Sequence, residues 1–385
     1  MQTIYLDHNA TTPLYPEVAD AMVRCYRAPH GNPASSHRLG QQARRTLEEA
    51  RDSIAALLGA ETSAVRPDRL VFTAGGTEAN NLALLGMGQQ RGNGVGHLVV
   101  SAIEHPSVLG PAEHCMERGW RIDTLGCGPD GVVRPDLLPR LLSDQTRLVS
   151  VMLANHDTGV RQPVTQMARL CGEAGVPIHT DAVQVAGKAP LNFRGLGVSA
   201  MSIAAHKFGG PVGIGALVVR NGIELEPLCF GGNQQWGLRP GTEPLALVVG
   251  MQTALRICHE NQQDYDLRLQ RLRDRFESGL VAGFPSLVVN GREADRLPST
   301  SNVAFPGIDG QVLLLALDAA GIACSSGSAC SSGSPDLSPT LRAMGLSGEV
   351  LRGSLRFSFG ANTTEAEIDE AVRRILQVIH RLGSP

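Results

Sequence analysis

The sequence predicts an α/β protein: a large domain on a mostly parallel sheet of about seven strands, and a smaller α+β domain. Three observations lead there. Short apolar runs at 70–73, 97–100, 121–125, 147–153, 177–181, 201–205 and 214–219 alternate with polar or helix-like stretches, as strands covered on both faces do. After Gly250 the texture changes, and Tyr265, Leu269, Leu272, Phe276 and Leu280 lay an apolar stripe along a long amphipathic helix. The length, 385 residues, is enough for two domains. The division expected is 15–260 for the large domain, and 1–14 with 261–385 for the small one, joined near residue 260 by a helix.

In chain order, Leu47, Ala50, Ile54 and Leu57 step by 3, 4 and 3, which is helical spacing, before the first apolar run. Gly126-Cys127-Gly128-Pro129-Asp130-Gly131 is a strong turn signal after the third. A mixed region follows the helix at 265–280. The chain closes with Ile368, Val372, Ile375, Ile379 and Leu382, a helix opened by the capping box of Thr364 and Glu367. There is no internal repeat and no low-complexity linker.

Composition excludes several classes of function. With 42% apolar and 18% charged residues the chain is too apolar to be disordered. A formal charge of −3 gives no global field for nucleic acid or an anionic membrane. No apolar stretch approaches the roughly 18 residues of a membrane span. The opening Met1-Gln2-Thr3-Ile4-Tyr5-Leu6-Asp7 has neither part of a secretory signal, so a cytoplasmic protein is expected. The eight cysteines form no Cys-x-x-Cys pair and have no histidine at zinc-finger spacing, so no metal site is expected. Of 34 basic residues only Lys188 and Lys207 are lysines, which leaves two candidates for any chemistry that needs an amine.

Ligands of open α/β sheets bind beyond the carboxyl ends of the strands, and chemistry-bearing groups collect at those ends. Ala74-Gly75-Gly76-Thr77-Glu78 is a glycine turn entering a helix, suited to a single phosphate group but also to an ordinary tight turn. Glu104-His105-Pro106 ends the next strand, where His105 could stack, carry a proton or be merely structural. Ala154-Asn155-His156-Asp157-Thr158-Gly159 offers hydrogen-bonding groups. His179-Thr180-Asp181-Ala182-Val183-Gln184 offers an aspartate, either a helix cap or the partner of a protonated pyridine nitrogen. Ala204-Ala205-His206-Lys207 delivers one of the two lysines, whereas Lys188 reads as a loop residue past a helix. An anion turn, an aspartate and a lysine on one sheet are the parts of a pyridoxal-phosphate site. The Ser/Gly-rich run from Ala323 to Ser334 should be a mobile loop exposing Cys330, either a nucleophile or an adventitious thiol. Arg356 lies in an apolar strand-like segment, where its charge needs a substrate carboxylate or an internal acid.

These residues resemble the cysteine desulfurases of the class V aminotransferase superfamily, pyridoxal-phosphate fold type I. The resemblance runs nearly the whole chain: Tyr5-Leu6-Asp7-His8-Asn9-Ala10-Thr11-Thr12-Pro13, Gly31-Asn32-Pro33-Ala34-Ser35-Ser36-His37, the Gly76-Thr77-Glu78 turn, Ala205-His206-Lys207, Arg239-Pro240-Gly241-Thr242 and Gly327-Ser328-Ala329-Cys330. The last motif and its Ser-rich continuation look like the long-loop branch that feeds iron–sulfur assembly and tRNA thiolation.

The resemblance implies that Lys207 would carry pyridoxal 5'-phosphate covalently and His105 would stack on its ring and assist proton transfer. Asp181 would pair with the ring nitrogen, and Asn155 and Gln184 would bond near the ring oxygen. Gly76, Thr77 and His206 would hold the phosphate. Thr242 would reach the phosphate of a partner subunit, which makes a homodimer. Arg356, with Asn9 nearby, would grip the carboxylate of L-cysteine. Cys330, as thiolate, would take the sulfur as a persulfide, leave L-alanine, and pass the sulfur to an acceptor protein. No nucleic acid, membrane or metal is implied.

Four departures stand out. Ala204 replaces a serine and lacks its hydrogen bond to the phosphate. Asn233-Gln234-Gln235-Trp236 replaces Gly-Gln-Glu-Arg/Lys, and His156-Asp157 replaces Asn-Glu. Cys324 is an additional thiol, either inert or an acceptor of the persulfide. The alternatives are a selenocysteine lyase, another β-eliminating or amino-group-transferring relative, and a catalytically weak assembly partner.

Overall fold

The structure is a computed structural model that describes residues 3–29, 31–88, 95–327 and 337–382. Its strands are β1 (Ile4–Tyr5), β2 (Arg69–Thr73), β3 (His97–Ser101), β4 (Arg121–Leu125), β5 (Thr146–Ser150), β6 (Ile178–Asp181), β7 (Ala200–Ala204), β8 (Gly215–Val219), β9 (Val288–Val289), β10 (Thr300–Ala304), β11 (Ile322–Ala323) and β12 (Ser354–Ser358). The seven apolar runs of the sequence become β2 to β8, one sheet in the order β2-β8-β7-β6-β5-β3-β4. Six strands point the same way, and β8 alone runs antiparallel to its neighbours β2 and β7. Runs such as Leu98-Val99-Val100 and Ala216-Leu217-Val218 are apolar at every position because helices cover both faces of the sheet.

One face packs on the helices Arg38–Leu57 and Leu245–Glu260, with Leu47, Ile54, Val248 and Met251 meeting Phe72, Val149 and Met201. The opposite face packs on Pro106–Glu117 and the stretch after Gly76, through Ala79, Leu82, Val108 and Ala112. A separate core lies around the sheet β12-β10-β9. There Phe276, Phe357 and Phe359 stack with ring centroids 4.9 and 5.4 Å from Phe276. The helices Gln262–Gly283, Gly310–Ala319 and Glu365–Leu382 supply the rest of that core. The capping box at the last helix is made: Glu367 N–H donates to Thr364 Oγ1 at 3.2 Å and Thr364 N–H to Glu367 Oε2 at 2.8 Å.

The N-terminal segment ties the two cores together. β1 adds to β11 as a parallel pair, and Asn9 N–H donates to the Ser358 hydroxyl at 2.9 Å. Among the described residues no helix is long and apolar enough to cross a membrane.

The expectation of a mobile loop from Ala323 onward is corrected for its first five residues. Ala323 lies in β11, and Ser325 exchanges both backbone hydrogen bonds with Arg356, at 3.1 and 2.7 Å. Cys324 packs against the second core, and burial pushes its thiol up to about 12. Burial and the nearby Asp7 carboxylate favour the protonated thiol, as the inert reading of Cys324 expects.

Candidate active site

The carboxyl ends of β2, β3, β5, β6 and β7 open on one cavity of about 270 Å3. Gly76, Thr77, His105, His156, Asp181, Gln184, Ala204, His206 and Lys207 all stand on its wall. The parallel strands deliver these groups from distant parts of the chain to one edge of the sheet.

Its anion-type corner is the turn from β2 into the helix Gly76–Asn81, whose first N–H groups have no acceptor within the helix. A Cβ on Gly76 would stand 2.9 Å from Val183 Cγ2, so glycine is the residue that fits. Glu78 accepts from Ala74 N–H at 2.6 Å and from Arg239 at 2.9 Å, which ties the turn to the segment after β8. The Ala204 methyl faces this corner without a polar atom.

Asn80 organises the opposite wall. Its Nδ2 donates to Asp181 Oδ2 at 2.7 Å and to Ser107 Oγ at 2.8 Å. Since the Ser107 oxygen accepts that bond, its own proton goes to His105 Nδ1, 2.7 Å away, which also accepts Ser107 N–H at 3.1 Å. His105 Nδ1 is therefore an acceptor, and the ring proton sits on Nε2. Burial lowers the His105 pKa, in keeping with a neutral ring. Asp181 takes one further bond, from Val183 N–H at 2.9 Å, and remains available as a buried carboxylate at the cavity. Behind it Glu104 is buried; burial pushes its carboxyl up to about 8 although Ser101 Oγ and Met152 N–H both donate to it.

The amine of Lys207 donates to the backbone oxygens of Asn9 at 2.7 Å and Ala10 at 2.8 Å. His206 faces Thr11 at 3.2 Å, and burial with two nearby lysines lowers its pKa to about 4. Lys188 lies in a turn, in keeping with its reading as a loop residue, but its side chain is buried and its amine donates to Asn9 Oδ1 at 3.0 Å and Gln184 Oε1 at 2.8 Å.

Not every residue singled out in the sequence stands on the wall. Asn155 is completely buried behind it: Oδ1 caps its own turn, accepting from Asp157 and Thr158 N–H, and Nδ2 is taken by Ile103 O and Thr340 Oγ1. The neighbouring His156 is the side chain that reaches the cavity, edge-on to His105 at 5.4 Å between centroids. Asn9 spends its amide on Thr300 Oγ1 and His156 O. Arg356, also behind the wall, pairs with Asp7 at 2.8 Å and lies 3.6 Å from Asp157, so internal acids meet the need its burial creates. Thr242 is exposed and away from this cavity. Cys330 lies outside the described residues. The chain on either side of 328–336 meets Asp157: Ser338 Oγ donates to Oδ2 at 2.6 Å, and a Cβ on Gly327 would stand 2.7 Å from Oδ1. Asn80 and Ser107 escaped sequence reasoning, and His156 stood out in the sequence only as a departure without a role. Only the polar pair Asn80-Asn81 in an otherwise apolar helical stretch hinted at the first.

A cavity that joins an anion corner, a buried aspartate, a neutral histidine and a lysine amine is found where a known family would place it. The profile described as Aminotransferase class-V matches residues 4–371. The chain belongs to this family. It is 42% identical over 375 residues to a Mycobacterium tuberculosis protein named IscS-like cysteine desulfurase, covering 96% of this chain and 94% of that one. Among solved structures it is similar to one titled NIFS-LIKE PROTEIN, 32% identical with a TM-score of 0.91, covering 99% and 100% of the two chains. It is also similar to one titled SspA in complex with cysteine, 30% identical with a TM-score of 0.80, covering 93% and 99%. The class-V fold accounts for the mostly parallel seven-stranded sheet, and members of the family depend on pyridoxal phosphate.

Proposed function

We propose that this chain is a pyridoxal-phosphate-dependent cysteine desulfurase that releases L-alanine from L-cysteine and leaves the sulfur on Cys330. The observation that carries the reading is the meeting of Lys207, Asp181 and His105 at one cavity beside the Gly76-Thr77 turn. The residues fit the cofactor: a lysine amine for its covalent hold, a buried carboxylate for a ring nitrogen, a neutral imidazole for a ring face, and a backbone corner shaped by glycine for a phosphate. His206 would join that corner, Gln184 would meet the ring oxygen, and Thr242 would serve the site of a second copy.

Bound pyridoxal phosphate supplies an electron sink for the carbon that loses its proton. Lys207 Nζ takes that proton and returns it, and the two carbonyls it bonds fix the direction of its lone pair. Arg356 would offer the substrate carboxylate its Nε, which has no hydrogen-bond partner among the described residues. The Cys330 thiolate bonds the substrate sulfur as the carbon–sulfur bond breaks, giving a persulfide and alanine. A homodimer, a sulfur-acceptor protein and a reducing, cytoplasmic setting belong to the same reading. So does the division into units 15–260 and 1–14 with 261–385, which the two separate cores support.

The test is release of alanine and sulfide from L-cysteine by cofactor-loaded protein under reductant. Equal amounts of both are expected, and loaded protein that makes neither overturns the reading.

A further inference from the structure

Of 34 basic residues two are lysines, and both end on Asn9. Lys207 Nζ donates to its backbone oxygen, and Lys188 Nζ to its side-chain oxygen. Lys188 also donates to Gln184 Oε1, and Gln184 Nε2 donates to the Asn9 backbone oxygen at 3.0 Å. Lys188, Gln184 and Asn9 thus close a ring of hydrogen bonds directly behind the cavity wall.

This ring fixes the polarity of Gln184. An ammonium has donors only, so the group facing it is Oε1. The other arm faces a carbonyl, which accepts only, so it is Nε2. Flipping the amide would set Nε2 against the Lys188 ammonium and oxygen against oxygen at Asn9, and the second clash stands whether or not Lys188 carries its proton. One N–H of Gln184, which stands on the wall, is left for a ligand. Arginine, used at every other basic position but one, could not replace Lys188: five N–H groups would need acceptors in a pocket offering two amide oxygens.

We propose that Lys188 is a positioning residue that locks Gln184 as an N–H donor toward the ring oxygen of the bound cofactor, holding that oxygen ionised. The proposal rests on the reading of the cavity as a pyridoxal-phosphate site. The charged and titratable groups around Lys188 are Lys207, Arg356, Asp7, Cys258, His8 and His206. Arg356 and Asp7 are paired, His8 and His206 titrate only at about 4, and burial holds the Cys258 thiol up at about 11. None of these five replaces Lys188 as a brace for Gln184.

The experiment loads wild type, Lys188→Met and Gln184→Glu with pyridoxal phosphate and follows the visible absorption of the resting protein against pH, without substrate. Losing the brace in the first, or the donor itself in the second, favours the protonated cofactor. The midpoint is expected to rise by about one pH unit in both variants. A folded, loaded Lys188→Met with the wild-type midpoint overturns the proposal, because a merely structural lysine would lower the melting temperature and leave the titration alone. If Lys188→Met does not fold, Lys188→Leu decides in the same way, with Gln184→Glu as the reference for a lost donor. Wild type that loads but makes no alanine overturns the desulfurase reading and leaves this titration readable; wild type that takes up no cofactor overturns both.

Discussion

Asp7 and Arg356 meet at 2.8 Å, although 349 positions separate them in the chain. The guanidinium also donates to His156 O at 3.1 Å. Its planar fork can hold Asp7 and a second carboxylate together, which an ammonium cannot do. Arg356→Lys is expected to raise the KM for L-cysteine about tenfold or more, with a smaller change in kcat. Its melting temperature should fall, because a single ammonium cannot meet both Asp7 and Asp157 as the guanidinium does. Steady-state kinetics with a melting curve checks both, and an unchanged KM would confine Arg356 to its internal pairs.

Ala204→Ser returns a hydroxyl to the corner beside Gly76. One neutral hydrogen bond is worth about 0.5–1.5 kcal/mol net, so the cofactor dissociation constant should drop by roughly 2- to 12-fold. Equilibrium dialysis of apoprotein against pyridoxal phosphate measures it.

Glu104 makes stability depend on pH in a definite direction. Its folded pKa, about 8, lies above the ordinary carboxylate value. The stabilisation this gives is complete below the unfolded pKa and is lost as pH rises through the folded one. Glu104→Gln stays uncharged throughout. Measured relative to wild type, its melting temperature should therefore improve between pH 5 and pH 9, by about a few degrees. A parallel pair of curves would show that Glu104 does not titrate in that window.

Gln235 closes the exposed edge of β2. Its Oε1 accepts Phe72 N–H at 2.6 Å and its Nε2 donates to Phe72 O at 2.9 Å, as a neighbouring strand would. Arg51 adds a bond at 3.2 Å and lies over the Phe72 and Trp236 rings. Gln235→Ala leaves two buried backbone groups unpaired, each costing about 1–3 kcal/mol. A clear loss of stability in urea unfolding is expected, with the wild-type substrate range.

Cys330→Ala should keep the cofactor spectrum and abolish sulfide release. Sulfide at the wild-type rate would remove Cys330 from the reaction.

The seven-stranded sheet was legible because its strands are buried on both faces and read as plain apolar runs. The last helix announced itself through its cap. Of the small sheet only β12 was legible, as the apolar strand-like segment around Arg356; β10 is Thr-Ser-Asn-Val-Ala, whose polar residues bond across the interior and break the apolar pattern. At the site, the strand-end groups His105, Asp181 and Lys207 were visible from position alone. Asn155 and His156 differ by one residue in the chain, and only the turn at Asp157 decides which of them faces the cavity. The burial of Lys188 and of Cys324 was not legible because it comes from distant parts of the chain, Asn9 for the first and the second core for the other, which no local window contains.

The Lys207 amine is held by carbonyls near the start of the chain, and that start is itself held by Ser358. During synthesis the lysine emerges from the ribosome long before the strand that anchors its partners. The anchorage of that segment is therefore complete only once β12 has been made, and stable cofactor uptake is expected to follow it. A ribosome-stalled chain ending before β12 should remain colourless in the presence of pyridoxal phosphate, while the released protein takes up the cofactor and its colour.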